Sequence, residues 1–359
     1  MVLRDNPGTV MSAALFLSCL YNYARSQEVI CSLGDCRSTT TTIIMAMFPR
    51  AVAVGCMVSR AAVLYKNVTG AVAVYEGKIA EYEAHYPEDA CGARFRRAFV
   101  TIVVVTCAAI IIPVNVYRIH LLYRQYRSSG LIVFHALMYV QNASTCVTEL
   151  QFVVYCFGLC RMFCHMNGDM SALRSEAIVV NRYPPVLMTC RPLGATTELC
   201  SGPSLVDGVE RLKLRHQFIS GAVRDLNALY SFQLVASLSV LFAMSLFDIY
   251  GVVSNVVKTA DSHLFFYGWV LQYAFRFSMI VLTTHVTTKQ ALKSKIFITD
   301  INTRLTDSNT KEELRLFLDE LCGRSVEFTT FDMFIINTRL ITSAIVTGTT
   351  YLIILFQFQ

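Results

Sequence analysis

The chain has 359 residues, of which 16% are charged and 54% hydrophobic, with a mean hydropathy of +0.49. An ordinary soluble domain carries about 25% charged residues, so composition disfavours a water-facing enzyme, a disordered chain and a nucleic-acid binder. The net charge of +6 does not select an acidic partner, because basic residues also collect in the cytoplasmic loops of membrane proteins.

A bilayer core of about 30 Å takes roughly 20 mostly apolar residues per helix, and irregular backbone is not tolerated against lipid. Seven runs answer that description: residues 9–23, 42–64, 98–117, 131–160, 228–252, 264–286 and 341–358. The first is short and follows Arg4, so a cleavable signal peptide is its rival, although no small-residue cleavage pattern follows Leu20. The second is interrupted by Pro49, Arg50 and Arg60.

Lys and Arg in alternate loops number 22 on the N-terminal side and 6 on the other. The positive-inside rule then places the N-terminus in the cytoplasm and the C-terminus outside, the reverse of a G-protein-coupled receptor. The two largest loops, 161–227 and 287–340, fall in the cytoplasm, and both read as partly helical. Leu212, Phe218, Ile219, Val223, Leu226 and Tyr230 line one face of a helix entering the fifth span, and 311–321 (KEELRLFLDEL) is amphipathic. The expected fold is an all-α membrane protein with seven transmembrane helices and intracellular helical loops.

Of thirteen cysteines, Cys19, Cys56, Cys107, Cys146, Cys156 and Cys160 lie in apolar stretches, where a thiol behaves as a small hydrophobe. Cys156, Cys160 and Cys164 share one helical face at a membrane edge, which fits packing and also palmitoylation. Cys31 and Cys36 suit a disulfide only if their segment is extracellular. The sequons at Asn67 and Asn142 fall in a cytoplasmic loop and inside a span, so neither is expected to carry glycan.

No Walker loop, GxGxxG, HExxH, GxSxG or zinc spacing occurs, so the sequence supports neither catalysis nor a metal or other cofactor. Polarity inside the spans is the more informative signal, because a charge at that depth is costly and faces the protein interior or water. Arg50, Glu149, Asp248 and Arg276 qualify. Arg276 and Glu149 are placed to meet as a clamp. Asp248 and Arg276 differ in depth by about 13 Å at 1.5 Å per residue and are not expected to pair.

Aromatic and amide groups gather in the outer halves of the spans: Leu264 to Trp269, Gln272 and Tyr273 in the sixth, Phe247 and Tyr250 in the fifth, His135, Tyr139 and Asn142 in the fourth. An interfacial aromatic belt explains such residues, and so does a concave small-molecule site. Gln272 and Asn142 are too deep for the belt alone. Tyr139, Asn142, Trp269, Gln272 and Tyr273 are therefore the candidate ligand contacts.

The last span ends Thr350, Tyr351, Leu352, Ile353, Ile354, Leu355, Phe356, Gln357, Phe358. This TYLIILFQF resembles the TY, five hydrophobics, QF signature that closes insect gustatory receptors. Residues 328–339 (FTTFDMFIINTR) and 216–231 (HQFISGAVRDLNALYS) are also similar to that family's approaches to its last and fifth spans. The resemblance implies a ligand-gated cation channel in which four subunits, identical or mixed with other gustatory receptor subunits, each lend the last helix to a central pore. It also implies a small-molecule tastant bound in an outer pocket, and a multi-pass protein surrounded by lipid in the plasma membrane of chemosensory neurons. On this view residues 1–286 hold the first six helices and the pocket, 287–340 form a cytoplasmic helical anchor, and 341–359 line the pore. Sugar-receptor members commonly have Glu after the signature tyrosine. Leu352 stands there, which leans toward bitter compounds or other plant metabolites.

Within the signature, Ile354 and Gln357 lie three residues apart and nearly share a face, giving an apolar constriction followed by a polar ring. Phe358 is a further candidate for that face. A G-protein-coupled receptor would need an extracellular N-terminus and shows no Asp-Arg-Tyr or Asn-Pro-x-x-Tyr here. A transporter would show interrupted helices at matched positions in two halves, whereas Pro49 and Pro113 are isolated.

Overall fold

The computed structural model describes residues 7–33, 40–126, 128–182, 205–253, 260–301, 308–323, 326–330 and 334–357. In chain order the elements are α1 (Pro7–Leu33), α2 (Thr40–Thr69), α3 (Ala71–His85), α4 (Ala90–Tyr126), α5 (Ser129–Arg182), α6 (Leu205–Val253), α7 (Ala260–Thr299), α8 (Ser308–Gly323), β1 (Thr329–Thr330), β2 (Phe334–Ile335) and α9 (Thr338–Gln357). The secondary structure of the described residues is thus helical apart from a short antiparallel pair, Thr329 against Ile335 and Thr330 against Phe334. That pair departs from the purely α expectation. Its β-branched and aromatic residues favour extended backbone.

Among the described residues, four helical stretches are long and apolar enough to cross a membrane: Pro49–Thr69, Ala90–Arg124, Ser129–Ser175 and Val206–Tyr250. A shorter apolar helix covers Thr338–Ile354. Pro49 and Pro113 both sit inside helices, as apolar helices tolerate when neighbouring groups satisfy the freed backbone. The 54-residue α5 is about 80 Å long at 1.5 Å per residue, far more than a bilayer requires. Gly70 ends α2 with φ of 64°, a left-handed conformation open to glycine without steric cost.

The chain divides into two compact units, one formed by Met1–Tyr155, Asn227–Thr283 and Thr329–Gln359, the other by Cys156–Leu226 and Thr284–Phe328. In the first, α1 runs well past the 9–23 stretch and is tied in by polar bonds. Asn22 Nδ2 donates to the Phe134 carbonyl and to Gln141 Oε1, each at 3.4 Å, and Arg50 Nε donates to Ser26 Oγ at 3.0 Å. These bonds make α1 a packed member of the unit. Small residues set the helix spacing: a Cβ on Gly55 would lie 2.5 Å from Val240 Cγ2, so α2 and α6 approach closely. A seam of polar groups continues from there. Ser59 and Thr148 share a hydrogen bond of 3.3 Å, Gln233 Nε2 donates to Ser59 Oγ at 3.3 Å, and Lys66 Nζ donates to Gln233 Oε1 at 2.9 Å while lying 3.3 Å above the Tyr230 ring.

In the second unit, the amphipathic pattern of 311–321 is realised as α8, which buries Leu314 and Phe317. His216 lies between Phe163 and Phe317, with ring centroids 5.9 and 5.8 Å away. Lys213 Nζ meets Glu313 Oε2 at 2.6 Å, and Asn167 Nδ2 donates to the Gln290 carbonyl at 2.9 Å. Cys156 and Cys160 are buried and Cys164 is half-buried. Packing is therefore the role of the first two. Cys36 and the side chain of Cys31 lie outside the described residues.

Candidate functional site

Within the first unit α7 presents Trp269, Gln272, Tyr273 and Arg276 at helical spacing on one face, and all four are buried. Trp269 joins Val52, Met138, Tyr139, Leu241, Met244 and Tyr273 in a single apolar cluster drawn from α2, α5, α6 and α7. Its indole Nε1 donates to Asn115 Oδ1 of α4 at 3.2 Å. The contact depends on Gly268, where a Cβ would come within 2.8 Å of Val114 Cγ2, so only glycine lets α4 and α7 come this close. Trp269 is thus an interior residue with a satisfied N–H, not a member of an interfacial belt.

Two turns along α7 from Trp269 the site becomes ionic. Arg276 Nε donates to Glu149 Oε2 at 2.7 Å and its Nη2 to Glu149 Oε1 at 2.8 Å. Its Nη1 donates to Asn142 Oδ1 at 2.7 Å. This is the clamp the sequence suggested, extended to Asn142 by a third bond. Because Asn142 spends its carbonyl on Arg276, the residue is oriented by the ion pair. Asn142 is half-buried, with its side chain turned to Arg276.

Two small cavities flank this arrangement. The first, about 20 Å³, is lined by Val52, Gly55, Cys56, Asn142, Thr145, Glu149, Ser237, Val240, Leu241, Met244, Tyr273 and Arg276. The second, about 10 Å³, is lined by Val52, Asn115, Met138, Tyr139, Asn142, Trp269 and Tyr273. Val52, Asn142 and Tyr273 are common walls of both. A site of this size admits about one water, so a larger guest must displace side chains. Met138 and Met244 are the flexible walls suited to that.

Four of the five candidate contacts, Tyr139, Asn142, Trp269 and Tyr273, therefore converge. Gln272 is buried beside them but lines neither cavity, and neither its Oε1 nor its Nε2 has a hydrogen-bond partner among the described residues. His135 bonds the Leu131 carbonyl of its own helix at 3.0 Å. The sequence reading missed Asn115, Ser237 and Met244. Asn115, a lone amide two residues after Pro113 inside an apolar run, was the one with a legible signal.

The last helix packs along one stripe. Gly348 is buried, with a Cβ there 3.1 Å from Leu246 Cδ2 of α6, and Ile341, Ala344 and Leu352 on the same face are half-buried. Thr350, Tyr351, Ile353, Ile354 and Gln357 are exposed. The Thr350 hydroxyl donates to the Val346 carbonyl of its own helix at 3.0 Å. Phe358 lies outside the described residues. Among the described residues no group of three or more His, Cys, Asp or Glu is suited to a metal ion.

Comparison with known proteins agrees with this architecture. The 7tm chemosensory receptor family matches residues 174–359, just over half of the chain. The chain belongs to that family of chemosensory receptors. Gustatory receptor 28b of Drosophila melanogaster is 26% identical over 152 residues, 40% of this chain and 32% of that receptor. The match thus spans about a third of the relative's length. The insect olfactory receptor OR5 from Machilis hrabei superimposes with a TM-score of 0.70 at 9% identity, covering 98% of this chain and 89% of that one. Its complex with eugenol gives the same values. At that identity the likeness speaks for the fold alone.

Proposed function

We propose that this receptor is a ligand-gated cation channel opened by small tastants, more in the manner of a bitter or plant-metabolite receptor than of a sugar receptor. The observation that carries the reading is the last helix: it packs on α6 through the single stripe around Gly348 and leaves Val346, Thr350, Ile353 and Gln357 uncovered on the other side. One such helix cannot enclose a pore, whereas four symmetric copies can. The subunits are identical copies or a mixture with other gustatory receptor subunits.

In this reading the chain crosses the plasma membrane of chemosensory neurons seven times, with the N-terminus inside and the C-terminus outside. Residues 1–286 carry the first six helices and the ligand pocket, 287–340 form a cytoplasmic anchor and 341–359 line the pore. The 22 to 6 asymmetry of basic residues supports the orientation. The convergence of Tyr139, Asn142, Trp269 and Tyr273 supports the pocket, with Gln272 beside them. The eugenol complex of the olfactory receptor from Machilis hrabei lends weight to a small aromatic ligand. The absence of Glu at Leu352 supports the non-sugar branch. Whole-cell recording against a panel of sugars and bitter plant compounds tests the proposal. Currents evoked by bitter compounds and not by sugars are expected, and a well-expressed receptor silent to the whole panel would count against it.

A further inference from the structure

Asp248 is buried in the first unit with 1% of its surface exposed, and its Oδ2 has no hydrogen-bond partner among the described residues. Glu149 offers the contrast, since both of its oxygens are taken by Arg276. Among the described residues Asp248 has no such basic partner. A carboxylate buried this way is costly unless something compensates it, and at membrane depth an ionisable group is retained for function or for pairing.

The place of Asp248 in α6 shows what could compensate it. Ser237, Leu241 and Met244 line the first cavity, and residues 237, 241, 244 and 248 recur at helical spacing on one face. Asp248 is therefore one helical turn beyond the cavity-lining stripe and lines neither cavity itself. Leu241 and Met244 of this stripe pack in one buried cluster with Tyr139, Trp269 and Tyr273, the three rings that line the second cavity. The rings of Tyr139 and Trp269 are 6.3 Å apart and tilted by 46°. Two more buried polar side chains on the same faces lack partners among the described residues, Ser237 through Oγ and Gln272 through both amide atoms. A buried carboxylate one helical turn from a cluster of three aromatic rings, with spare hydrogen-bonding groups on the same faces, is the chemistry that recognises an organic cation.

We infer that the receptor's ligand carries a protonated or quaternary amine, with Asp248 as its counter-ion and Tyr139, Trp269 and Tyr273 as the aromatic walls around it. The inference rests on the pocket reading given above and narrows it to one ligand class. Gln272 and Ser237 serve polar substituents of the same ligand. The Arg276 and Glu149 pair is internally neutral and contributes orientation through Asn142.

Trp269 is the only tryptophan of the chain, so its fluorescence reports on this site independently of any current. Full-length receptor in detergent micelles is titrated with phenethylamine, its N-trimethyl form and the neutral 2-phenylethanol. Both cations are expected to bind at least tenfold more tightly than the alcohol. Asp248→Asn should weaken the cations tenfold or more and leave the alcohol within about twofold, and Asp248→Glu should keep the preference. Saturable binding of the alcohol at the same affinity as the cations, or cation binding untouched by Asp248→Asn, overturns the inference and leaves the pocket standing. No saturable change with any of the three compounds removes the pocket itself. If Asp248→Asn does not fold, the wild-type preference and the Glu variant still decide.

Discussion

Arg276 holds both carboxylate oxygens of Glu149, at 2.7 and 2.8 Å, with only 4% of either side chain exposed. The pair joins α7 to α5 in the middle of two apolar helices and fixes their register. It also orients Asn142, which lines both cavities. A buried ion pair adds little net stability when intact, but losing one partner strands a charge.

Glu149→Gln should therefore destabilise the first unit by about 3–5 kcal/mol, read as a large fall in surface expression and thermal midpoint. Replacing both partners, Glu149→Leu with Arg276→Met, removes the stranded charge. Expression should recover while agonist response does not, because Asn142 has lost the donor that orients it. Equal expression of the single variant and wild type would show that the pair is dispensable for folding.

The approach of α4 to α7 gives a second test. A methyl group at position 268 would lie 2.8 Å from Val114 Cγ2, too close to be absorbed without moving one helix. Gly268→Ala should lower agonist potency by separating Trp269 from Asn115. Adding Val114→Ala frees the space and should restore potency, the coupling expected of residues in direct contact. Strictly additive effects in dose-response curves would rule this contact out as the cause.

Trp269→Phe keeps most of the apolar volume and removes the N–H that Asn115 accepts. Surface expression should stay within about twofold, since volume-conserving core changes are the best tolerated, while agonist potency falls severalfold. An unchanged dose response would mean that the indole serves packing only.

The relation of sequence to structure differs from residue to residue. The apolar runs were legible because a bilayer demands length and hydrophobicity that few other folds require. The bond between Arg276 and Glu149 was legible because an intramembrane charge has few affordable partners. The fate of Trp269 was not, since interior and interface place the same ring at the same sequence position. Gly268 and Val114 decide between them, and the hydrogen bond they permit joins Trp269 to Asn115 across 154 residues. Nor was the division at Tyr155, Leu226 and Thr283 visible, because each point falls inside a helix whose periodicity runs on unbroken. The short pair of β1 and β2 was hidden by its length of two residues per strand.

The proposed orientation rests on the placement of Lys and Arg. Epitope tags at the two ends of the chain, probed on unpermeabilised cells, should be accessible only at the C-terminus. An accessible N-terminal tag would remove the channel reading and favour a receptor coupled to a G protein.

The exposed side of α9 can be tested as a pore lining. With Gly348 facing α6, a helix turning about 100° per residue carries Gln357 to about 180° and Ile354 to about 120° from the packed stripe. Both are exposed, so both are available to a pore assembled from several copies. Ile354 then supplies the apolar constriction, which closes by excluding water, and Gln357 the polar ring beyond it. A polar side chain at the constriction stabilises water there, so Ile354→Asn should raise ligand-independent current. Gln357→Glu adds one negative charge per subunit around the conduction path and should increase the preference for cations, divalent ones above all. Phe358 is a secondary candidate for the same path. Recording both variants at matched surface expression decides the question: wild-type leak together with wild-type ion selectivity would mean that α9 faces lipid and does not line the pore.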